Sequence, residues 1–228
     1  MSSVVLVTGA GRGLGLEFVR QYATDGWTVL ATVRDPDRAG ALRAVAGKVS
    51  VLSLDVTDPQ RVVELTRGLA GRPIDLLINN AGVYGTASNR LGELDYHAWE
   101  QVLAANTLGP VRVTEALLDC LRAGTRRKVV SITSLMGSIG ENNAGGSLYY
   151  RSSKAALNAA MRTLAIDLGH ENFCVAVLHP GWVRTDMGGA NAPLESSHSV
   201  AAMRQIIERL TPGDTGRFFN YDGRELPW

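Results

Sequence analysis

The sequence predicts an α/β fold: one domain over residues 1–228, built on a doubly wound parallel sheet of six to seven strands with helices on both faces. Three observations lead there. Short apolar runs rich in β-branched residues recur along the chain, longer stretches of helical periodicity separate them, and a glycine-rich turn follows the first run directly. Parallel neighbours need a crossover over one face of the sheet, and such crossovers are right-handed, so a repeated strand–helix order specifies cover on both sides.

The first strand is "SVVLVT" (3–8), and a helix over 13–25 follows, stopped by Gly26. "WTVLATV" (27–33) is the second strand and 36–46 the second helical pattern; "VSVLSL" (49–54) is the third strand. Asp58 before Pro59 starts a helix over 59–70, since the aspartate oxygen accepts an otherwise orphaned N–H and proline at the first position gives up none that the helix needs. After "IDLLIN" (74–79) comes a long pattern over 95–122, ended by Gly124. Gly109-Pro110 should kink it, because proline removes a ladder hydrogen bond. "KVVSIT" (128–133), a helix over 147–169, "CVAVLH" (174–179) and a helix over 197–210 complete the alternation, and "RFFNYDG" (217–223) offers an edge strand.

With 228 residues and 45% apolar content, the chain is large enough for one substantial core. Its 23 basic and 22 acidic side chains nearly cancel, which argues against nucleic acid or an anionic membrane as partner and for a small uncharged ligand. "VVLV" (4–7) is too short for a signal core, and no stretch approaches the ~20 apolar residues of a membrane span, so a cytoplasmic protein is expected. Cys120 in a helix and Cys174 in a strand read as reduced, buried thiols. His97, His170, His179 and His198 lack ligand spacing, so no metal is expected.

Ligands of such sheets bind at the carboxyl ends of the strands. There "VTGAGRGLG" (7–15) opens a helix from a strand, the setting in which backbone N–H groups and the helix dipole attract a pyrophosphate. Of its four glycines, Gly9, Gly13 and Gly15 do not make the commoner G-x-G-x-x-G, since Leu14 stands where its last glycine would fall counting from Gly9. Arg12 lies in the turn and Arg34 just past the second strand. Arginine there accommodates a ribose 2′-phosphate where an acid would hold a free hydroxyl, so NADP(H) is expected over NAD(H). Asp35 should point away or pair with an arginine.

Only three lysines face 20 arginines in this chain, and one of them, Lys154, stands four residues after Tyr150, hence on the same helical face. Tyr149 has Ser153 at that spacing instead. Hydride transfer to a carbonyl needs a proton delivered to oxygen; tyrosine at its usual pKa of ~10 is a poor base near neutrality, and a neighbouring ammonium favours phenolate. A further donor must hold the substrate oxygen. Ser134, at the end of the fifth strand, could supply it, with Ser138 as the alternative.

Together these features resemble the short-chain dehydrogenase/reductase family, a single-domain Rossmann fold, over essentially the whole length. The matching residues are "TGAGRGLG" (8–15), "LDVTD" (54–58), "NNAG" (79–82), Asn106 in "NTLGP", "SITS" (131–134), "YRSSK" (150–154) and "PGWVRTDM" (180–187), in the family's order. The resemblance implies Tyr150 as acid/base, Lys154 on the nicotinamide ribose, Ser134 orienting the carbonyl and Asn106 supporting a water relay to Lys154. It also implies Gly9, Arg12, Gly13 and Leu14 at the phosphates, Asp55 and Val56 at adenine, Asn80, Ala81 and Gly82 under the riboses, and Pro180, Val183 and Thr185 beside the nicotinamide. Val33 fills the position where NAD-preferring members carry an acid. The long spacing from Ser134 to Tyr150 and the ending "FFNYDGRELPW" are similar to small carbonyl reductases of the sniffer and C-factor kind. The expectation is therefore an oxidoreductase acting on a carbonyl or alcohol, against the alternative of an NADP(H)-binding signalling protein with little turnover. Residues 186–198 read as a mobile flap over the substrate, and the long helices as surfaces for a homodimer or homotetramer.

Overall fold

The computed structural model describes residues 2–85 and 90–228. In chain order its elements are β1 Val4–Val7, α1 Gly13–Thr24, β2 Thr28–Val33, α2 Gly40–Arg43, β3 Lys48–Ser53, α3 Pro59–Leu69, β4 Leu76–Asn79, α4 Tyr96–Leu103, α5 Gly109–Ala116, α6 Leu118–Ala123, β5 Lys128–Ile132, α7 Leu148–Asp167, β6 Cys174–His179, α8 Ser196–Arg209 and β7 Phe218–Asn220. The strands form one sheet in the order β3-β2-β1-β4-β5-β6-β7, with every neighbouring pair parallel. β1 lies between β2 and β4, Leu6 opposite both Leu30 and Leu77.

Side chains alternate across this sheet and divide the interior in two. Val5 and Val7, Leu76 and Ile78, Val130 and Ile132, and Cys174, Ala176 and Leu178 face one cluster, closed by Phe18, Val19 and Tyr22 of α1 and by Val200, Met203 and Ile207 of α8. Leu6, Leu77, Val129, Val175 and Val177 face the other, closed by Val62 and Leu65 of α3, Val113 of α5, Leu121 of α6, and Leu157 and Met161 of α7. Strands buried on both faces explain why their sequences read as unbroken apolar runs. No described helix is long and apolar enough to cross a membrane.

Two helical expectations change. The pattern over 36–46 becomes a 3₁₀ turn at Pro36–Arg38, capped by the Asp35 carboxylate on the Asp37 N–H, followed by the short α2. The long pattern over 95–122 is interrupted by a π turn at Ala104–Leu108, where Gly109 N–H bonds to the carbonyl of Ala104 five residues back. Pro110, with no N–H to give its fourth neighbour, explains the wider turn, and Gly109 packs so tightly on Val56 that a Cβ there would lie 2.8 Å from its Cγ2. The result is a buried Asn106 on the wide turn, facing α7.

Candidate active site

Strand order reverses between β1 and β4, so the loops leaving their carboxyl ends part to form a crevice. Gly9 sits there in the left-handed region at φ +64°, and a Cβ on it would lie 2.8 Å from the Ala81 Cα. A Cβ at Gly15 would come within 2.3 Å of the Gly9 carbonyl oxygen and 2.6 Å of Asn80 Nδ2. Gly13, at φ +53°, opens α1, whose N-terminus has no side-chain cap and no acid in its first turn. Bare N–H groups at a helix start, walled by glycine, suit a phosphate. Leu14 packs against the core beneath this turn.

The loop after β4 braces the turn. Thr8 Oγ1 accepts from the backbone N–H groups of Asn80 and Ala81, both at 3.0 Å, and Asn80 Nδ2 donates to the carbonyls of Thr8 at 2.9 Å and Gly9 at 3.1 Å. Asn80, expected under a ribose, thus spends its amide holding the glycine turn. Gly82 lies beside the catalytic candidates: a Cβ there would be 3.0 Å from Asn106 Oδ1 and 3.7 Å from Lys154 Nζ.

At the far end of the crevice Arg34 is exposed, with no hydrogen bond or ion pair from its guanidinium among the described residues, while Asp35 turns into its cap on Asp37. Val33 is buried at the end of β2. Asp55 takes the N–H and hydroxyl of Thr57, at 2.9 and 2.7 Å, and the Val56 carbonyl accepts from Arg112 at 2.8 Å. Arg12 reaches across the opening to Asp186, 2.8 Å away, both side chains well exposed. Such a pair is weak, so a phosphate group at the turn can displace Asp186 from Arg12 at little cost.

Tyr150 and Lys154 point inward from the first turns of α7, where Tyr150 is 9% exposed and Lys154 5%. Tyr149 diverges: its ring stacks on Trp99 and its hydroxyl accepts from the Asp95 N–H at 2.7 Å, a packing role. Lys154 Nζ lies 5.7 Å from the centre of the Tyr150 ring and donates to the Ile132 carbonyl at 2.8 Å. Burial pushes the Tyr150 phenol up to about 12, against the hydrogen bond from Ser134 that lowers it. Burial likewise brings Lys154 down to about 8. The expectation that the ammonium makes the phenol easier to ionise is therefore outweighed here: desolvation keeps Tyr150 protonated near neutrality.

Ser134 follows the end of β5, 8% exposed, where its hydroxyl acts to lower the Tyr150 phenol, and it accepts from the Met136 N–H at 3.1 Å. Ser138 faces elsewhere, donating to the Trp228 carbonyl at 3.0 Å. Asn106 on the π turn takes the Val83 N–H on Oδ1 at 2.8 Å and donates to the Val83 carbonyl at 2.8 Å and to Ser153 Oγ at 2.9 Å. Its amide is a brace between the β4 loop and α7, so any hand it has in a water relay falls to its backbone. Pro180 accepts from Ser199 Oγ at 2.6 Å, Val183 bridges to Leu194, and the Thr185 methyl stands 3.4 Å from where a Gly13 Cβ would be. The segment read as a flap is stitched down: Arg184 N–H bonds to Leu194, Trp182 Nε1 to Gly188 and Gly188 N–H to Thr185 Oγ1, while 196–198 belong to α8.

Two residues beside these groups carry no role in the sequence reading. Thr8 could have been noticed as the hydroxyl next to the first glycine. Tyr84, whose ring lies against that of Tyr150 with centres 4.7 Å apart, had no signal, because the contact joins segments distant in sequence.

The sequence model described as short chain dehydrogenase matches residues 3–195. The chain is 50% identical over 156 residues to the C-signal protein of Myxococcus xanthus, covering 68% of this chain and 93% of that one. Among solved structures, the carbonyl reductase Sniffer of D. melanogaster superposes with a TM-score of 0.91 at 31% identity over 100% of both chains. An NADPH-bound carbonyl reductase from chicken fatty liver superposes equally well, TM-score 0.91 at 33% identity, over 100% of this chain and 99% of that one.

Proposed function

The chain belongs to the short-chain dehydrogenase family of oxidoreductases, and from that premise we propose that it is an NADP(H)-dependent carbonyl reductase using Tyr150, Ser134 and Lys154. One observation carries the reading: a buried phenol, with a serine beside it that favours its ionised form and a buried lysine one helical turn away, stands at the crevice that also holds the bare glycine turn. NADP(H) is supported by the unpaired Arg34, the absence of an acid at Val33 and the NADPH-bound carbonyl reductase of the same fold.

Gly9, Arg12, Gly13 and Leu14 would hold the pyrophosphate and Arg34 the 2′-phosphate. Asp55 and Val56 would border the adenine, the backbone of Asn80, Ala81 and Gly82 the riboses, and Pro180, Val183 and Thr185 the nicotinamide. Bound, the coenzyme supplies a hydride to the carbonyl carbon. The Ser134 hydroxyl donates a hydrogen bond to the carbonyl oxygen, and Tyr150 Oη gives that oxygen its proton. A phenol raised to about 12 is protonated at neutral pH, which favours reduction over oxidation. Lys154, kept mostly charged by a pKa of about 8, holds the ribose and faces the phenol as it loses its proton. Asn106 fixes the distance between the two sides through Val83 and Ser153.

NADPH oxidation followed over a panel of aldehydes, ketones and diones tests this. Turnover that disappears in Tyr150→Phe while NADPH still binds is the expected result. The similarity to the C-signal protein favours a second reading, a coenzyme-binding signalling protein, and tight NADPH binding without turnover on any member of the panel would replace the first reading with it.

A further inference from the structure

Tyr84 forms the outer layer over the reacting phenol. Tyr84 is 39% exposed where Tyr150 is 9%, and the two rings are tilted by 31° at 4.7 Å. The backbone around it is held from both sides. Val83 has its N–H and its carbonyl both bonded to the Asn106 amide at 2.8 Å, and Gly85, at φ +91°, packs so that a Cβ would lie 2.9 Å from Val102 Cγ2. The phenol end is fixed too: Tyr84 Oη and Ser147 Oγ lie 2.6 Å apart, and Ser147 immediately precedes α7 in a left-handed conformation, φ 46°. Tyr84 is thus a pinned, partly exposed aromatic surface next to the Tyr150 ring. A carbonyl whose oxygen met Tyr150 and Ser134 would have the Tyr84 ring as a near neighbour, since the two rings lie 4.7 Å apart.

We propose that Tyr84 sets substrate preference, its ring being the wall against which a flat aromatic or conjugated group next to the reacting carbonyl stacks. The inference rests on the reading of Tyr150 as proton donor. Aromatic contacts of this kind contribute through ring quadrupoles as well as area, which an aliphatic group of equal bulk does not reproduce.

The test compares an aryl ketone with a compact aliphatic ketone in wild type, Tyr84→Leu, Tyr84→Phe and Tyr84→Trp, with NADPH binding and thermal midpoints measured alongside. Tyr84→Leu should lower kcat/KM for the aryl ketone about tenfold relative to the aliphatic one, chiefly through KM. Tyr84→Phe, which keeps the ring and loses only the Ser147 contact, should change the ratio less than about threefold, and Tyr84→Trp should raise it. A wild type active on both ketones whose ratio stays constant across the variants overturns the inference alone. A wild type that binds NADPH and reduces neither overturns the catalytic reading and this inference with it. Should Tyr84→Leu unfold, an unchanged ratio in Tyr84→Trp is sufficient to reject the proposal.

Discussion

Ser134 and Ser138 differ by one turn of chain and by everything that surrounds them. Ser134 Oγ stands with the Tyr150 phenol, while the Ser138 hydroxyl is committed to the Trp228 carbonyl. Losing a donor that meets developing charge costs about 100-fold or more in kcat, whereas losing a buried brace costs stability. Ser134→Ala should therefore reduce kcat by about two orders of magnitude, while the lost cap on the Met136 N–H lowers the thermal midpoint only modestly. Ser138→Ala should retain kcat within about threefold and unfold slightly earlier; steady-state kinetics and a melting curve separate the two. Arg34→Ala should weaken NADPH binding about tenfold or more and NADH binding hardly at all, by fluorescence titration, since only the former offers a dianion to the guanidinium. Equal effects would remove the 2′-phosphate argument. Lys154 adds a pH signature. Its ammonium, brought down to about 8 by burial, is lost as pH rises through that value, so kcat/KM for reduction should fall on the alkaline side with a limb near 8, well below the 10.5 of a solvated lysine.

Elements carry the next level of detail. α7 packs on the 3₁₀ turn Leu135–Gly137 with no room to spare: a Cβ on Gly137 would lie 2.8 Å from the Lys154 Cβ and 2.9 Å from its carbonyl carbon. Because the obstacle is backbone, Gly137→Ala should destabilise the protein by about 1–3 kcal/mol and lower kcat by displacing Lys154, seen as a drop in both melting temperature and turnover. Most elements could be read from the sequence because their signals are local. β6 falls on 174–179 as expected, and β2, expected at 27–33, is Thr28–Val33. Helical spacing likewise placed Tyr150, and not Tyr149, beside Lys154. What escaped depends on distant chain: the bond that engages Ser138 comes from Trp228, 90 residues beyond it, and the bond between Tyr84 and Ser147 spans 63. Pro110 signalled a break in the long helix, but nothing nearby specified a π turn that would face Asn106 toward Val83 and Ser153.

Across the whole molecule, stability should respond to a histidine at the end of β6. His179 ends β6, and burial holds it down to about 4, with Asp222 acting weakly the other way; its Nδ1 is buried without a hydrogen-bond partner among the described residues. Between about pH 6.5 and 4 the unfolded chain binds a proton there that the folded chain refuses. Stability therefore rises with pH across that window and is lost as pH falls, by up to about 3 kcal/mol. Urea midpoints at pH 7 and 4.5 should lie closer together in His179→Gln than in wild type. The sheet itself has a quieter effect. Because Phe18 belongs to the cluster on one side and Phe173 to the cluster on the other, a void opened beneath one has no neighbours in common with a void beneath the other. Denaturation free energies lost by Phe18→Leu and Phe173→Leu should sum in the double variant to within about 0.5 kcal/mol, so that damage on one side is neither relieved nor amplified by damage on the opposite side.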